Sequence, residues 1–162
     1  MPHVTWKQTS GYWWPQQHQQ GVCGYYCCAI VAALLNPNES RFKLAVKAMA
    51  RNRVWASRLQ IYESLSNDFK IHCVQGGNEH DPADTDALEL QFGSVSKTKP
   101  MIVACVGPNQ GQNHWVVVSQ KLGQRVLVID PYVGPVWGDV DGFSPNYIPD
   151  NAFFAGLYVK VV

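Results

Sequence analysis

Thirteen consecutive residues, Cys23 to Leu35, carry no charge, and this segment constrains the fold more than any other part of the sequence. It contains one glycine, Gly24, and the dipeptide Asn36-Pro37 that follows it is a strong stop signal because proline cannot continue a helix. A segment that is apolar on every side and about twelve residues long predicts a helix buried in the core. The run is too short to span a bilayer.

Helical signals precede strand signals along the rest of the chain. Residues Glu39–Arg51 and Val54–Leu65 have apolar side chains at helical spacing, and Asp84–Phe92 is a further short helix candidate. Residues 1–22 are predicted to be irregular, with aromatic rings packed on the body, and the glycines and prolines of 131–151 predict a loop. The predicted strands are Lys70–Val74 (ending at Gly76-Gly77), Met101–Val106, His114–Ser119, Val126–Asp130 and Phe153–Val162. This order predicts a single α+β domain over residues 1–162.

Composition excludes several classes of function. The chain has 162 residues, 46% hydrophobic and 15% charged, which is typical of one compact domain and excludes extended disorder. Thirteen Lys and Arg residues face twelve Asp and Glu residues, so no basic surface for nucleic acid or membrane is predicted. Residues 1–7 do not resemble a secretory signal. We therefore expect a reducing, cytoplasmic setting, with delivery as part of a longer chain left open.

The five cysteines do not predict a disulfide framework. Their number is odd, and Cys73 and Cys105 lie in apolar, strand-like runs where a buried thiol is the usual finding. Zinc sites commonly draw on paired C-x2-C elements, and the sequence has none. We predict neither a metal site nor a cofactor.

Cys23 is the candidate nucleophile because it opens the buried helix. A helix N-terminus carries partial positive charge and unpaired N–H groups, which favour the thiolate form of a cysteine and can also hold an oxyanion. Cys27 lies one turn further along the helix and Cys28 beside it, where a charge would be costly. We interpret Cys27 and Cys28 as packing residues.

His114 is the best candidate for the base that such a nucleophile needs. It opens a predicted strand directly after the polar stretch 109–113, whereas the other histidines lie in polar or irregular sequence. If the hairpin turn is centred on residue 122, His114 lies directly opposite Asp130, and a carboxylate there would orient the imidazole. A register shifted by one residue would separate the two side chains. Asp130 as a simple turn former before Pro131 is the alternative.

Gln17 precedes Cys23 by six residues. Its side-chain amide, together with the backbone N–H of Cys23, is a candidate oxyanion hole, although four glutamines crowd this segment. Gly24 would permit close approach of a substrate, and Trp115 is a second predicted substrate contact. The polar segment 107–113 and the segment 131–151 are expected to border the cleft.

Taken together, these residues resemble papain-like cysteine peptidases, and more narrowly the C39-type peptidases known from leader-peptide-cleaving domains of bacterial exporters. That family has a glutamine six positions before the nucleophile, a glycine directly after it and often a second cysteine four positions on. It also has a histidine followed by apolar strand residues, with Asp-Pro sixteen positions later. The matching residues are Gln17, Cys23, Gly24, Cys27, His114, Asp130 and Pro131.

The resemblance implies a papain-like α+β fold, with the nucleophile on a buried helix in an N-terminal helical half and the histidine and aspartate on a C-terminal antiparallel sheet. It also implies hydrolysis of protein or peptide substrates through a thioester. Domains of this kind occur as bacterial effectors and toxins, for which a cognate inhibitor or immunity protein is the expected partner. Two alternatives stay open: a protein glutamine deamidase or transglutaminase on the same fold, and a non-catalytic binding module.

Overall fold

The central helix has the bounds that the sequence predicts. The structure is a computed structural model that describes residues 4–17, 21–50, 55–77, 92–106, 113–139 and 153–162. Helix α1 spans Cys23–Leu35, and every residue from Cys23 to Ala32 is buried. Because no charged or strongly polar side chain interrupts this segment, it can be surrounded by the core on all sides.

Two further helices follow α1. Helix α2 spans Arg41–Ala50, within the predicted Glu39–Arg51, and packs on α1. Helix α3 spans Arg58–Glu63 and continues into a π-helical turn over Ser64–Asp68. The predicted start at Val54 is too early because Ser57 caps the helix: its hydroxyl accepts from the Gln60 N–H, and the Gln60 side chain accepts from the Ser57 N–H.

Strands from the second half of the chain dominate a six-stranded antiparallel sheet with the order β3-β8-β4-β5-β6-β7. One face of this sheet packs on α1 through Ile102, Trp115, Val117 and Ile129. The opposite face carries a second buried cluster that includes Val116. The strands are β3 Cys73–Gly76, β4 Met101–Val106, β5 Asn113–Leu122, β6 Arg125–Asp130, β7 Gly134–Asp139 and β8 Phe153–Val161.

The N-terminal segment is a β-hairpin rather than the irregular stretch that was predicted. Strands β1 (Thr5–Thr9) and β2 (Tyr12–Gln16) pair antiparallel. Ser10 and Gly11 both have positive φ, as the turn of a two-residue hairpin requires, and this Ser-Gly pair was the overlooked signal. The hairpin packs on the main sheet at Gly134, where a Cβ atom would come within 2.6 Å of the Trp14 ring.

Two other strand predictions need correction. Strand β7 lies within the predicted loop 131–151, despite Pro135 and Gly138. A proline is tolerated there because β7 is an edge strand of the sheet, where a missing N–H breaks few ladder bonds. Strand β3 begins three residues later than predicted, at Cys73.

The β5–β6 hairpin forms as predicted, but its predicted register is wrong. Leu122 pairs with Arg125 at the turn, while Val117 pairs with Ile129 further along. Continued by one step, this register sets Asp130 opposite Val116 rather than His114. The turn register alone would place His114 and Asp130 on opposite faces, but a bulge between Val118 and Gln120 adds one residue to β5 and returns them to the same face.

Several predictions concern residues outside the described ranges. They are the helix over Asp84–Phe92, except its last residue, the polar segment 107–112 and residues 140–151 of the predicted loop. Within the described ranges, none of the helices has the length and apolar character needed to cross a membrane.

Candidate active site

Cys23 is the first residue of α1, and its thiol lies at the end of the sheet. The preceding residue, Val22, offers no side-chain hydrogen bond to cap the helix, so the first-turn N–H groups are not taken up by a capping side chain. The backbone N–H of Trp115 on β5 points to the sulfur, with 3.5 Å between N and Sγ. The thiol is therefore held between a helix N-terminus and the residue that follows His114.

A hydrogen bond joins His114 to Asp130 across the hairpin. The His114 Nε2 atom lies 2.9 Å from Asp130 Oδ2. The second carboxylate oxygen, Oδ1, accepts a 2.8 Å bond from the backbone N–H of Tyr132. Because Asp130 is buried and both its oxygens are engaged, its orientation toward the imidazole is fixed. The predicted contact between these two side chains is present, although they are not directly paired.

The His114 ring also interacts with the Cys23 sulfur. Burial alone lowers the pKa of His114, but hydrogen bonds to Asp130 and to Cys23, with the negative charges of both, outweigh it and raise the pKa to about 10. With Nε2 facing Asp130, the nitrogen left for the sulfur is Nδ1. The proximity of the Asp130 carboxylate and of the Cys23 sulfur to the ring thus favours a charged imidazolium.

We expect the His114 ring to titrate near pH 10 instead of near 6.5, because its charged form is stabilised on both sides. The resulting contribution to stability is fully present below pH 6.5 and is lost as the pH rises through about 10, so the melting temperature should fall over that interval. NMR titration of the ring protons measures the pKa directly. The control is Asp130→Asn, which removes one negative charge and should move the midpoint to lower pH. A midpoint near 6.5 in the unsubstituted protein would contradict the geometry.

The other described cysteines are buried and have the packing role that was predicted. Cys27 and Cys28 have no solvent exposure, and Cys73 and Cys105 lie inside the core. Burial, followed by the proximity of Cys23, raises the pKa of the Cys27 thiol well above its ordinary value. Cys27 therefore stays protonated and unreactive although it lies one turn from Cys23.

Gln17 follows the end of β2 and is held beside the Asp130 segment. Its backbone N–H donates a 2.8 Å hydrogen bond to the carbonyl oxygen of Pro131, and its side chain is only 2% exposed. A buried amide at this junction has few rotamers available, as a preorganised hydrogen-bond donor requires. The structure therefore places Gln17 beside Pro131, the residue that follows Asp130.

The two residues predicted to contact substrate have packing roles in the structure. A Cβ atom on Gly24 would lie 3.0 Å from the Cβ of Ala56 and 3.2 Å from a methyl group of Ile61, so the glycine permits α1 to pack closely on the segment before α3 and on α3 itself. The Trp115 ring is buried, and its indole N–H donates to the Ala56 carbonyl at 3.0 Å. This burial argues against a contact between substrate and the Trp115 ring.

Comparison with solved structures identifies the fold that carries these residues. No protein-family model matches the sequence, and no curated protein matches it. Among solved structures, a double glycine motif protease from an AMS/PCAT transporter, crystallised with its leader peptide, superposes with a TM-score of 0.56 at 16% identity. The alignment covers 91% of this chain and 89% of that one. The chain has a papain-like fold.

A second solved structure with similarity to the chain is the Pseudomonas avirulence protein AvrPphB. It aligns with a TM-score of 0.41 and 10% identity over 86% of this chain and 89% of that one. This score is too low to support any inference, so the fold assignment depends on the double glycine motif protease.

Within this papain-like fold, sequence reasoning overlooked Tyr132. Its ring centroid lies 5.6 Å from that of His114, at an interplanar angle of 32°. Partial burial, followed by the charges of Cys23 and Asp130, raises the pKa of Tyr132, so its hydroxyl stays protonated. The available signal was its position two residues after Asp130, where a turn brings the chain back over the histidine.

Across the described residues, no group of three or more His, Cys, Asp or Glu side chains is arranged to hold a metal ion.

Proposed function

We propose that the protein is a cysteine peptidase that hydrolyses peptide bonds through a thioester. Cys23 is the nucleophile, His114 carries the proton and Asp130 orients the imidazole. The observation that carries this proposal is the 2.9 Å contact between the Asp130 carboxylate and the His114 ring, together with the position of the Cys23 sulfur, at the N-terminus of a buried helix, against the backbone N–H of Trp115, the residue after His114.

The first half-reaction would form an acyl-enzyme. The Cys23 thiolate attacks the carbonyl carbon of the scissile peptide bond, and the carbonyl oxygen becomes an oxyanion. The His114 imidazolium then donates its proton to the leaving nitrogen, the C–N bond breaks and the amine product departs. A thioester joins the remaining acyl group to Cys23, and His114 is left neutral.

The second half-reaction would regenerate the site. Neutral His114 takes a proton from water, the resulting hydroxide attacks the thioester, and the C–S bond breaks to release a carboxylic acid and the Cys23 thiolate. Both half-reactions pass through an oxyanion. We assign its stabilisation to the backbone N–H of Cys23 and the Gln17 side chain, because the first groups at a helix N-terminus and a buried amide need little reorganisation.

The substrate class is a protein or peptide. The double glycine motif protease that shares this fold was crystallised with a leader peptide, which supports a polypeptide as ligand. The near-neutral composition favours no strongly charged partner. An effector or toxin role, a cognate inhibitor protein and a cytoplasmic location remain predictions that follow from the resemblance and the composition.

Intact-mass spectrometry of a treated mixture of denatured proteins tests the proposed reaction. Peptide-bond hydrolysis yields fragments that together gain one water for each cut, and this is the expected result. A mass shift of an uncleaved substrate would instead identify deamidation or transamidation by the same residues. Failure of iodoacetamide to label Cys23 in preference to the other four thiols would indicate a binding module without catalysis.

A further inference from the structure

A tryptophan beside the candidate active site has two unusual properties. Trp55 precedes α3, and its side chain is 54% exposed. Its φ angle is +59°, in the left-handed region that bulky residues rarely adopt. Exposure of a large ring and strain in its backbone both disfavour this arrangement in the isolated protein.

Hydrogen bonds hold Trp55 in this conformation next to the nucleophile. Its backbone N–H donates a 2.7 Å bond to the carbonyl oxygen of Gly21, two residues before Cys23. The carbonyl of the next residue, Ala56, accepts the indole N–H of Trp115, and its Cβ packs closely on α1. The segment 55–56 is therefore tied both to the start of α1 and to the strand that carries His114.

This combination indicates a binding role. Strained backbone persists where surrounding contacts over-determine it, and such residues cluster at sites that bind or react. An exposed indole on a backbone that hydrogen bonds hold in place provides a large apolar surface, and the backbone needs no further ordering on binding. Leu122, which is 64% exposed at the β5–β6 turn, lacks both the backbone strain and the proximity to Cys23.

We propose that Trp55 is a specificity-determining residue that binds a large apolar side chain of the peptide substrate on the helical side of the cleft. This inference rests on the proposed peptidase function. The guanidinium of Arg58, three residues after Trp55, donates hydrogen bonds to the carbonyl oxygens of Gly76 and Gly77. The contact that the indole offers to a substrate is therefore apolar. Tyr132, which is 37% exposed, lies beside His114.

The test compares the unsubstituted protein with Trp55→Gly on a random-sequence peptide mixture, with cleavage sites identified by mass spectrometry. Glycine accepts the positive φ and removes only the ring, so the melting temperature should not fall. Unsubstituted protein should show enrichment of large apolar residues at one position near the cut, and Trp55→Gly should lose it. For one peptide chosen from those that the unsubstituted protein cleaves, Trp55→Gly should lower kcat/KM about tenfold or more, mainly through a higher KM. For the same peptide with its large apolar residue replaced by alanine, Trp55→Gly should change kcat/KM little.

Trp13→Ala is the matched control, because Trp13 is also partly exposed, lies on the N-terminal hairpin and packs against Arg41. It should keep the enrichment. The role of Trp55 would be overturned if Trp55→Gly kept the enrichment, if Trp13→Ala lost it equally, or if the unsubstituted protein showed none. Each of these outcomes would leave the peptidase proposal intact. Absence of any cleavage by the unsubstituted protein would overturn both proposals.

Discussion

Cys23→Ala should reduce peptide hydrolysis by roughly a millionfold, to the limit of detection. The substitution removes the atom that forms the thioester in the proposed mechanism, and Cys27 cannot replace it because burial keeps that thiol protonated. The fold should survive, since one sulfur atom is lost from a side chain at the edge of the core, at a cost of about 1 kcal/mol. Initial rates of peptide cleavage and a melting curve measure the two effects.

Cys27→Ala provides the control for this experiment. Cys27 lies on the same helix with no solvent exposure, so its substitution tests packing without touching the proposed chemistry. It should lower the melting temperature slightly and leave kcat within a few-fold of the original, on the scale of a small core truncation. Full activity in Cys23→Ala, or loss of activity in both variants, would refute the assignment of the nucleophile.

His114→Ala should be nearly as damaging as loss of the nucleophile, whereas Asp130→Ala should reduce kcat less, by roughly ten-thousandfold. In the proposed mechanism, the imidazole exchanges protons with the reacting groups in both half-reactions. The carboxylate acts through it by fixing the ring through the 2.9 Å contact at Nε2 and by raising its pKa. Steady-state kinetics on one peptide, measured from pH 6 upward, distinguishes the two roles.

His72→Ala is the matched control for the histidine, since His72 lies beside β3, far along the sheet from β5. It should leave kcat unchanged. A loss on Asp130→Ala equal to or larger than that on His114→Ala would show that another group orients the imidazole or that Asp130 has a different function.

The elements with strong local signals were predictable from the sequence. Helix α1 needed only an uncharged segment and the Asn36-Pro37 stop, and β5 and β6 needed only two apolar runs around a short turn. The N-terminal hairpin was missed because its strands are short and rich in aromatic and glutamine residues. One contact that supports it, between Trp14 and Gly134, joins parts of the chain that a local pattern cannot relate.

The contact between His114 and Asp130 was predicted on incorrect geometry. The sequence places both residues near the ends of adjacent strands, but it does not reveal the bulge between Val118 and Gln120 that decides which face each side chain occupies. Tyr132 and Trp55 were overlooked for a related reason, since both reach the site through turn or left-handed backbone conformations. Such conformations depend on tertiary contacts more than on residue type.

The sheet order has a consequence for the timing of protein synthesis. Strand β8 follows the other five strands of this sheet in the sequence but lies between β3 and β4, so the sheet cannot close until β8 is made. Cys23 meets its hydrogen-bond partner Trp115 across 92 positions of chain. A nascent chain whose helices have left the ribosome before β5 and β6 are made contains the Cys23 sulfur but neither the His114 imidazole nor the Asp130 carboxylate. If the proposed chemistry holds, translation itself delays proteolysis, and the growing chain is harmless to its neighbours until the strands that carry His114 and Asp130 have been made.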